Sequence, residues 1–278
     1  MGIVCISSHV AYGHVGGQAV ILPLQCAGHE VWHVPTVLFS NHPGHGGFRG
    51  RPVAADWCAD MVQGLHESGF LGRARGLISG YLGDGAQADA VLAARRRIPR
   101  SAPYLCDPVL GDAGRVYVKD EVVVAMRERL VPAADAVTPN RFELSLLTGR
   151  PADTLEDVLD ALTELRAMGP RLAICTSAMR DDDRLVSVLA DDDGFRGVSV
   201  PRHASAPYGT GDLLAALLLA GLVAGTDPAD ALRQAMDILH SVIADSLAAA
   251  SPELTLVASR ARFSEPVPQV ARVIPLPA

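Results

Sequence analysis

Short apolar runs alternate with mixed-face stretches along most of the chain. Residues 3–7, 31–37, 76–79, 103–106, 136–138 and 172–175 are short, apolar and mostly non-alternating, the pattern of parallel strands covered on both faces. Between them, residues 15–27, 54–68, 86–97, 121–129 and 154–168 carry mixed polar and apolar faces and predict helices. This alternation predicts an α/β fold: a doubly wound, mostly parallel central sheet with helices on both faces and right-handed crossovers. Acidic turns at 181–183 and 191–193 flank an apolar run at 185–189, which predicts a hairpin added near one sheet edge. Residues 213–223 are unbroken apolar, and two helices at about 212–224 and 228–250 are expected to close the core. No linker-like stretch divides the chain, so one domain spanning 1–278 is expected.

In such sheets ligands bind beyond the carboxyl ends of the strands. The residues there are Ser7-Ser8, Ser40-Asn41-His42, Ser79-Gly80-Tyr81, Asp107, Thr138-Pro139-Asn140 and Thr176-Ser177. Nearly every expected strand ends in a group able to bind a ligand. Gly209-Thr210-Gly211-Asp212 adds a glycine turn opening the most apolar helix, and a helix start with free N–H groups binds anions, phosphate especially. Asp212 repels such an anion, which makes sense if it takes a proton from a group attacking the phosphate. An ordinary capped helix after a glycine turn fits the same four residues. Asp107 and Glu143 could together hold a hydrated Mg²⁺ that bridges phosphates. Equally, Asp107 could cap a turn and Glu143 could be first-turn helix charge near Asn140.

Composition removes competing classes. The chain has 278 residues, 49% of them hydrophobic, and a net charge of −7, which argues against a nucleic-acid partner. Lys119 is the only lysine and lies outside any glycine-rich loop. That excludes a Walker-type phosphate loop and a protein-kinase strand lysine. A pyridoxal phosphate cofactor would have to form its Schiff base on Lys119. Five cysteines without a CxxC pair, and a start without a signal peptide, predict reduced thiols in a cytoplasmic protein. The 213–223 run is too short to span a bilayer, so no membrane partner is expected. His9, His14, His42 and His45 fit no metal-ligand spacing and are expected as loop or pocket histidines. For His45 a capping-loop contact and a solvent-exposed position both remain open. Cys106 and Cys175 are expected as small core residues at strand ends.

The chain resembles the pyridoxal kinases, the vitamin B6 kinase branch of the ribokinase-like superfamily. The matching stretches are Ser8-His9-Val10-Ala11-Tyr12-Gly13-His14-Val15-Gly16, Pro35-Thr36-Val37-Leu38-Phe39-Ser40-Asn41, Ser79-Gly80-Tyr81-Leu82-Gly83 and Cys106-Asp107-Pro108-Val109-Leu110-Gly111-Asp112. Val116-Tyr117-Val118, Thr138 to Leu144, Thr176-Ser177 and Gly209 to Leu213 continue them in family order. The Gly-Thr-Gly-Asp set marks only the superfamily, whereas Ser-His-Val-x-Tyr-Gly with Phe-Ser-Asn-His marks the B6 branch.

The resemblance implies ATP-dependent phosphorylation of the 5′-hydroxyl of pyridoxal, with pyridoxine and pyridoxamine as further acceptors. It implies that Asp212 is the general base and that the amides of Gly209, Thr210 and Gly211 form the anion hole. Ser8 would bond the polar edge of the pyridine ring, with Val15 and Tyr81 against its faces and Pro43, Gly44 and His45 as a capping loop. Asp107 and Glu143 would belong to the Mg²⁺–phosphate region. Thr138, Thr176, Ser177 and Tyr117 would lie near the ATP phosphates and a monovalent cation such as K⁺. A homodimer is also implied. Two departures stand out. Many members read Gly-Asn where this chain has Gly16-Gly17, and Ser-Asn-His-Thr-Gly-Tyr where it has Pro43 and His45. They bear on vitamer preference and rate and leave the ATP side unchanged. A hydroxymethylpyrimidine kinase of the same fold and a weakly catalytic B6-vitamer binding protein are the alternatives.

Overall fold

The computed structural model describes residues 2–181 and 183–276. The chain runs β1 (Gly2–Tyr12), α1 (Gly17–Cys26), β2 (Glu30–Asn41), β3 (Gly50–Pro52), α2 (Ala55–Glu67), β4 (Gly76–Ser79), α3 (Ala88–Arg97) and β5 (Tyr104–Cys106). A small hairpin of β6 (Gly111–Asp112) and β7 (Arg115–Val116) precedes α4 (Asp120–Ala125), β8 (Ala136–Val137), α5 (Arg141–Thr148) and α6 (Leu155–Ala167). Then come β9 (Leu172–Asp181), β10 (Arg184–Asp191), β11 (Gly194–Pro201), α7 (Thr210–Val223), α8 (Pro228–Ala248) and β12 (Arg272–Pro275). Ten strands form one sheet in the order β12-β11-β10-β9-β8-β5-β4-β1-β2-β3. From β2 to β9 the pairing is parallel.

Both faces of the sheet are covered, as the apolar runs require. In β1, Val4 and Ile6 join Cys58, Val62, Val91 and Leu162 on one side, while Ile3 and Cys5 join Val20, Leu24, Leu218 and Leu232 on the other. Alternate positions of one strand therefore meet α2, α3 and α6 on one face and α1, α7 and α8 on the opposite one. Helix α7 is apolar all round because it is packed all round. Its Leu218 faces the sheet side of the core, and its Leu213 meets Val242, Leu254, Leu256 and Phe263 beneath the C-terminal segment. No helix among the described residues is long and apolar enough to cross a membrane.

Several elements differ from the sequence expectation in extent. Strands β1 and β2 continue past residues 7 and 37 to Tyr12 and Asn41, with a register shift between Ser7 and His9. Their far ends mix polar and apolar residues, with Val10 buried and Tyr12 and Leu38 exposed. Ser8 and Ser40 thus lie on strands, not in loops. Helix α1 starts at Gly17 because Gly16 has φ 55°. The helix expected at 121–129 is α up to Ala125 and then a π-helical turn at Met126–Leu130. Strand β10 occupies the space between the two acidic turns and pairs antiparallel with β9 and β11. Residue 182, within the first of those turns, lies outside the described residues. Edge strand β12 extends this antiparallel wing by one more strand.

The Gly17 departure has a structural partner. A Cβ on Gly17 would sit 2.4 Å from the ring of His33 on β2. That ring lies with Nε2 3.2 Å from the Ser7 carbonyl oxygen. The imidazole occupies the space that an asparagine side chain at position 17 would need. Gly17→Asn alone should therefore destabilise the fold by about 1–3 kcal/mol through overpacking. Gly17→Asn combined with His33→Ala should recover at least half of the summed single costs, as read by urea denaturation. Simply additive costs would show that the two positions do not share this space.

Candidate active site

The strand register assembles the site. Ile6 pairs with Ser79, Ser79 with Cys106, and Cys106 with Val137, so the residues that follow these strands emerge side by side. The amide of Gly80 donates to the Ile6 carbonyl at 3.0 Å, that of Asp107 to Ser79 at 2.8 Å, and that of Thr138 to Cys106 at 3.2 Å. The Thr138 hydroxyl then donates to Asp107 Oδ1 at 2.8 Å. Beyond β8, the Thr176 amide donates to the Pro139 carbonyl at 2.8 Å. Ser177 follows with φ 52° and donates its amide to Ser187 Oγ.

Gly209, with φ 88°, caps the start of α7 without any side-chain hydrogen bond. The left-handed conformation lets its backbone press on the neighbouring loop, where a Cβ would meet the His14 carbonyl oxygen at 2.0 Å. A Cβ on Gly211 would meet nothing within 4 Å. The first-turn amides of α7 thus face open space without a capping side chain, which suits an anion. The Gly16 amide favours the charged form of the Asp212 carboxyl. A Cβ on Gly80 would lie 2.5 Å from Ser7 Oγ and 3.9 Å from Asp212 Oδ1. Glycine at position 80 therefore leaves room for a ligand atom or water between the two side chains.

Burial dominates the electrostatics. Asp212 keeps a partial opening to solvent, yet the surrounding protein raises its carboxyl to about 6, opposed by the Gly16 N–H. Asp107 is held well above the ordinary carboxylate range by burial, then by the charges of Asp212 and Glu143, with the Thr138 hydroxyl opposing. Glu143 is pushed up to about 7 by burial, against amides of Asn140, Leu110 and Gly111. Its Oε1 accepts from Leu110 N at 2.9 Å and its Oε2 from Asn140 N at 2.9 Å. Glu143 completes a capping box with Asn140, as the ordinary helix-start reading expects, and its charge acts on Asp107. Among the described residues, no group of three or more His, Cys, Asp or Glu side chains is close enough to hold a metal ion. A cation here would draw further ligands from phosphate oxygens and water, as Mg²⁺ usually does.

On the acceptor side, Ser8 Oγ lies against Gly16, where a Cβ would come within 1.9 Å of it. Val15 and Ser8 are buried. Tyr81 is half-buried and its carbonyl accepts from the Thr36 hydroxyl at 2.6 Å. Pro43, Gly44 and His45 form one 3₁₀ turn, with His42 Nδ1 accepting from the Gly44 amide. His45 is turned inward, its Nε2 2.5 Å from Glu253 Oε1. His42 packs on Tyr208 with ring centroids 4.3 Å apart. Tyr117 is exposed beside the β6–β7 hairpin, with its amide donating to the Leu110 carbonyl. Cys106 and Cys175 are core thiols pushed up to about 12 by burial. Sequence reasoning missed Glu253 and Tyr208. Neither sits in a matching stretch, and only the fold of the segment around Pro252 brings them to the turn.

Residues 77–254 match the sequence family described as phosphomethylpyrimidine kinase. Pyridoxal kinase PdxY of Leifsonia xyli is 39% identical over 98% of both chains, and that of Corynebacterium diphtheriae is 37% identical over 96% of both. Pyridoxal kinase from Leishmania donovani, solved in complex with ADP and pyridoxamine, superposes with a TM-score of 0.91 at 32% identity over 99% of both chains. The chain belongs to the pyridoxal kinase family. The phosphomethylpyrimidine kinase match begins at residue 77, after Ser8 to Gly16 and after Pro43 to His45. The pyridoxal kinase relatives extend over β1 and β2 as well, as their near full-length coverage shows.

The raised carboxyl of Asp212 has a measurable consequence for the free protein. Its folded pKa of about 6 exceeds the ordinary 3.8, so the folded state binds the proton more tightly and loses stability as pH rises from about 4 to 6. Asp212→Asn removes that charge. The variant should come closest to wild type near pH 3.5 and exceed it near pH 8 by roughly 1–2 kcal/mol, allowing for the solvent at the edge of the carboxyl. Thermal melts at both pH values test this, and a stability difference independent of pH would show that Asp212 is not strained by its surroundings.

Proposed function

We propose that the chain transfers the γ-phosphoryl group of ATP to the 5′-hydroxyl of pyridoxal, giving pyridoxal 5′-phosphate, with pyridoxine and pyridoxamine as further acceptors. The observation that carries this reading is the start of α7: glycine amides without a side-chain cap and a half-buried carboxylate, Asp212, in the first turn. Relatives with the same full-length architecture are pyridoxal kinases.

In this reading the amides of Gly209, Thr210 and Gly211 receive the γ-phosphate oxygens. Asp212, mostly ionised at neutral pH because its carboxyl sits at about 6, accepts the hydroxyl proton as the oxygen attacks phosphorus. The new O–P bond forms as the bond to the β-phosphate oxygen breaks and ADP leaves. Asp107, with the charge of Glu143 behind it, would hold a Mg²⁺ that neutralises the phosphates. Thr138, Thr176, Ser177 and Tyr117 would line the phosphate and monovalent-cation side. Lys119 is not a phosphate ligand here: its ammonium is exposed and pairs with Glu121 at 3.1 Å. Positioning and charge neutralisation carry the rate, as phosphoryl transfer allows. We place the enzyme in the cytoplasm, which its free thiols suit, and as a homodimer on family resemblance.

ADP release from MgATP, measured across pyridoxal, pyridoxine, pyridoxamine and hydroxymethylpyrimidine, decides the reading. Pyridoxal should give the largest kcat/KM. A preference for hydroxymethylpyrimidine would instead favour the kinase named by the 77–254 match, and tight pyridoxal binding without turnover a binding protein. Asp212→Asn should lower kcat by roughly 10²–10⁴ while ADP still binds; near-wild-type turnover would remove Asp212 as the base.

The capping turn bears on vitamer choice. Pro43 opens the 3₁₀ turn and offers no hydroxyl where threonine is common in the family. Pro43→Thr should lower KM for the preferred vitamer with little change in kcat and sharpen the pyridoxal-to-pyridoxine ratio. An unchanged ratio of specificity constants would move the choice to Ser8, Tyr81 or His45.

A further inference from the structure

The 3₁₀ turn over the acceptor site is weakly held by its own backbone. Its internal bonds are His45 N to His42 O at 3.2 Å and Gly46 N to Pro43 O at 3.3 Å, and residues 43–47 are exposed. Two residues hydrogen-bond it to the rest of the protein, and Tyr12 meets the His45 ring edge-on with centroids 5.9 Å apart. Tyr208 donates its hydroxyl to the Gly44 carbonyl at 3.3 Å, and a Cβ on Gly44 would meet that hydroxyl oxygen at 2.5 Å. Glu253 receives His45 Nε2. Tyr208 and Glu253 are themselves bridged through the backbone, so the two seats form one structure.

Glu253 is built for close approach. Its side chain is 6% exposed, so its oxygens depend on protein partners. Oε2 accepts from the His14 amide at 2.9 Å and Oε1 meets His45. Gly13, with φ 100°, lets the carboxyl in: a Cβ there would lie 2.6 Å from Oε1. The loop that Glu253 grips also carries Gly16, which lies against Ser8. One carboxylate thus holds the turn above the acceptor and the loop beneath it.

We propose that Glu253 is a positioning residue that latches the Pro43–His45 turn through His45 and thereby sets acceptor affinity. This rests on the kinase reading above. Opening the turn leaves a buried carboxylate short of one partner, so closure is the favoured state even before the acceptor adds its own contacts.

The test uses the full chain carrying His45→Ala, Glu253→Gln and the double substitution. Each single variant should raise KM for pyridoxal about 5- to 20-fold, with KM for ATP changed less than about twofold and kcat less than about threefold. The double variant should be no worse than the poorer single one, because both remove the same contact. Trypsin supplies a readout independent of turnover: cleavage after Arg49 should accelerate in each variant, whereas Arg51 precedes Pro52 and resists cleavage. Unchanged pyridoxal KM and cleavage rate overturn the latch. So does a parallel rise in both KM values with lowered melting temperature, or an additive double variant. Absence of pyridoxal phosphorylation by wild type would instead overturn the kinase reading, and the cleavage rates would still report on the turn.

Discussion

Asp107, Glu143 and Asp212 are held at the carboxyl end of one parallel sheet, where burial disfavours their ionisation. Asp107 feels both of the other two, and all three titrate above the ordinary carboxylate range. The geometry that forces this is the register of β4, β5 and β8, which leaves successive strand ends no freedom to diverge. The three raised carboxyls thus share one physical cause, burial beyond the ends of the parallel strands.

Holding that arrangement falls to α7. Six of its residues from Leu213 to Leu219 are buried, and its contacts run both to the sheet and to the C-terminal segment. A helix packed on all sides cannot slide or rotate to relieve an unfavourable charge at its first turn. Gly209 then does locally what the core does globally: it removes a side chain that would push the helix start away from the His14 carbonyl. The site is rigid because core packing, rather than the site's own bonds, sets the backbone positions.

The sequence was legible where one local signal determined the outcome. The runs at 76–79 and 103–106 are apolar because they are covered on both faces, and β4 and β5 lie there within one residue. Gly209 to Asp212 was legible because glycine spacing and an apolar helix point the same way. The far halves of β1 and β2 were not, because residues 8–12 and 38–41 pair as strands while mixing polar and apolar residues. Edge strands β3 and β12 were hidden for the related reason that three or four residues, largely exposed, carry no periodicity. Glu253 was invisible because its role depends on contacts 208 and 239 residues away, to His45 and His14. Glu143 was half-legible: its capping role near Asn140 was visible, and the structure adds its charge acting on Asp107.

The two departures from the family pattern fall on one part of the molecule. Gly17 faces the His33 ring, and the turn bearing Pro43 sits on Tyr208 and Glu253. Both belong to the wall built from β1 and β2. That wall meets the start of α7 partly through backbone, the His14 carbonyl against Gly209, and partly through side chains, with Ala19 of α1 and Leu213 of α7 in one apolar cluster. A contact made by main-chain atoms survives exchange of the side chain around it, whereas the Ala19–Leu213 packing depends on both side chains. Positions 17, 33, 43 and 45 supply neither contact, so a change there reaches the start of α7 only indirectly.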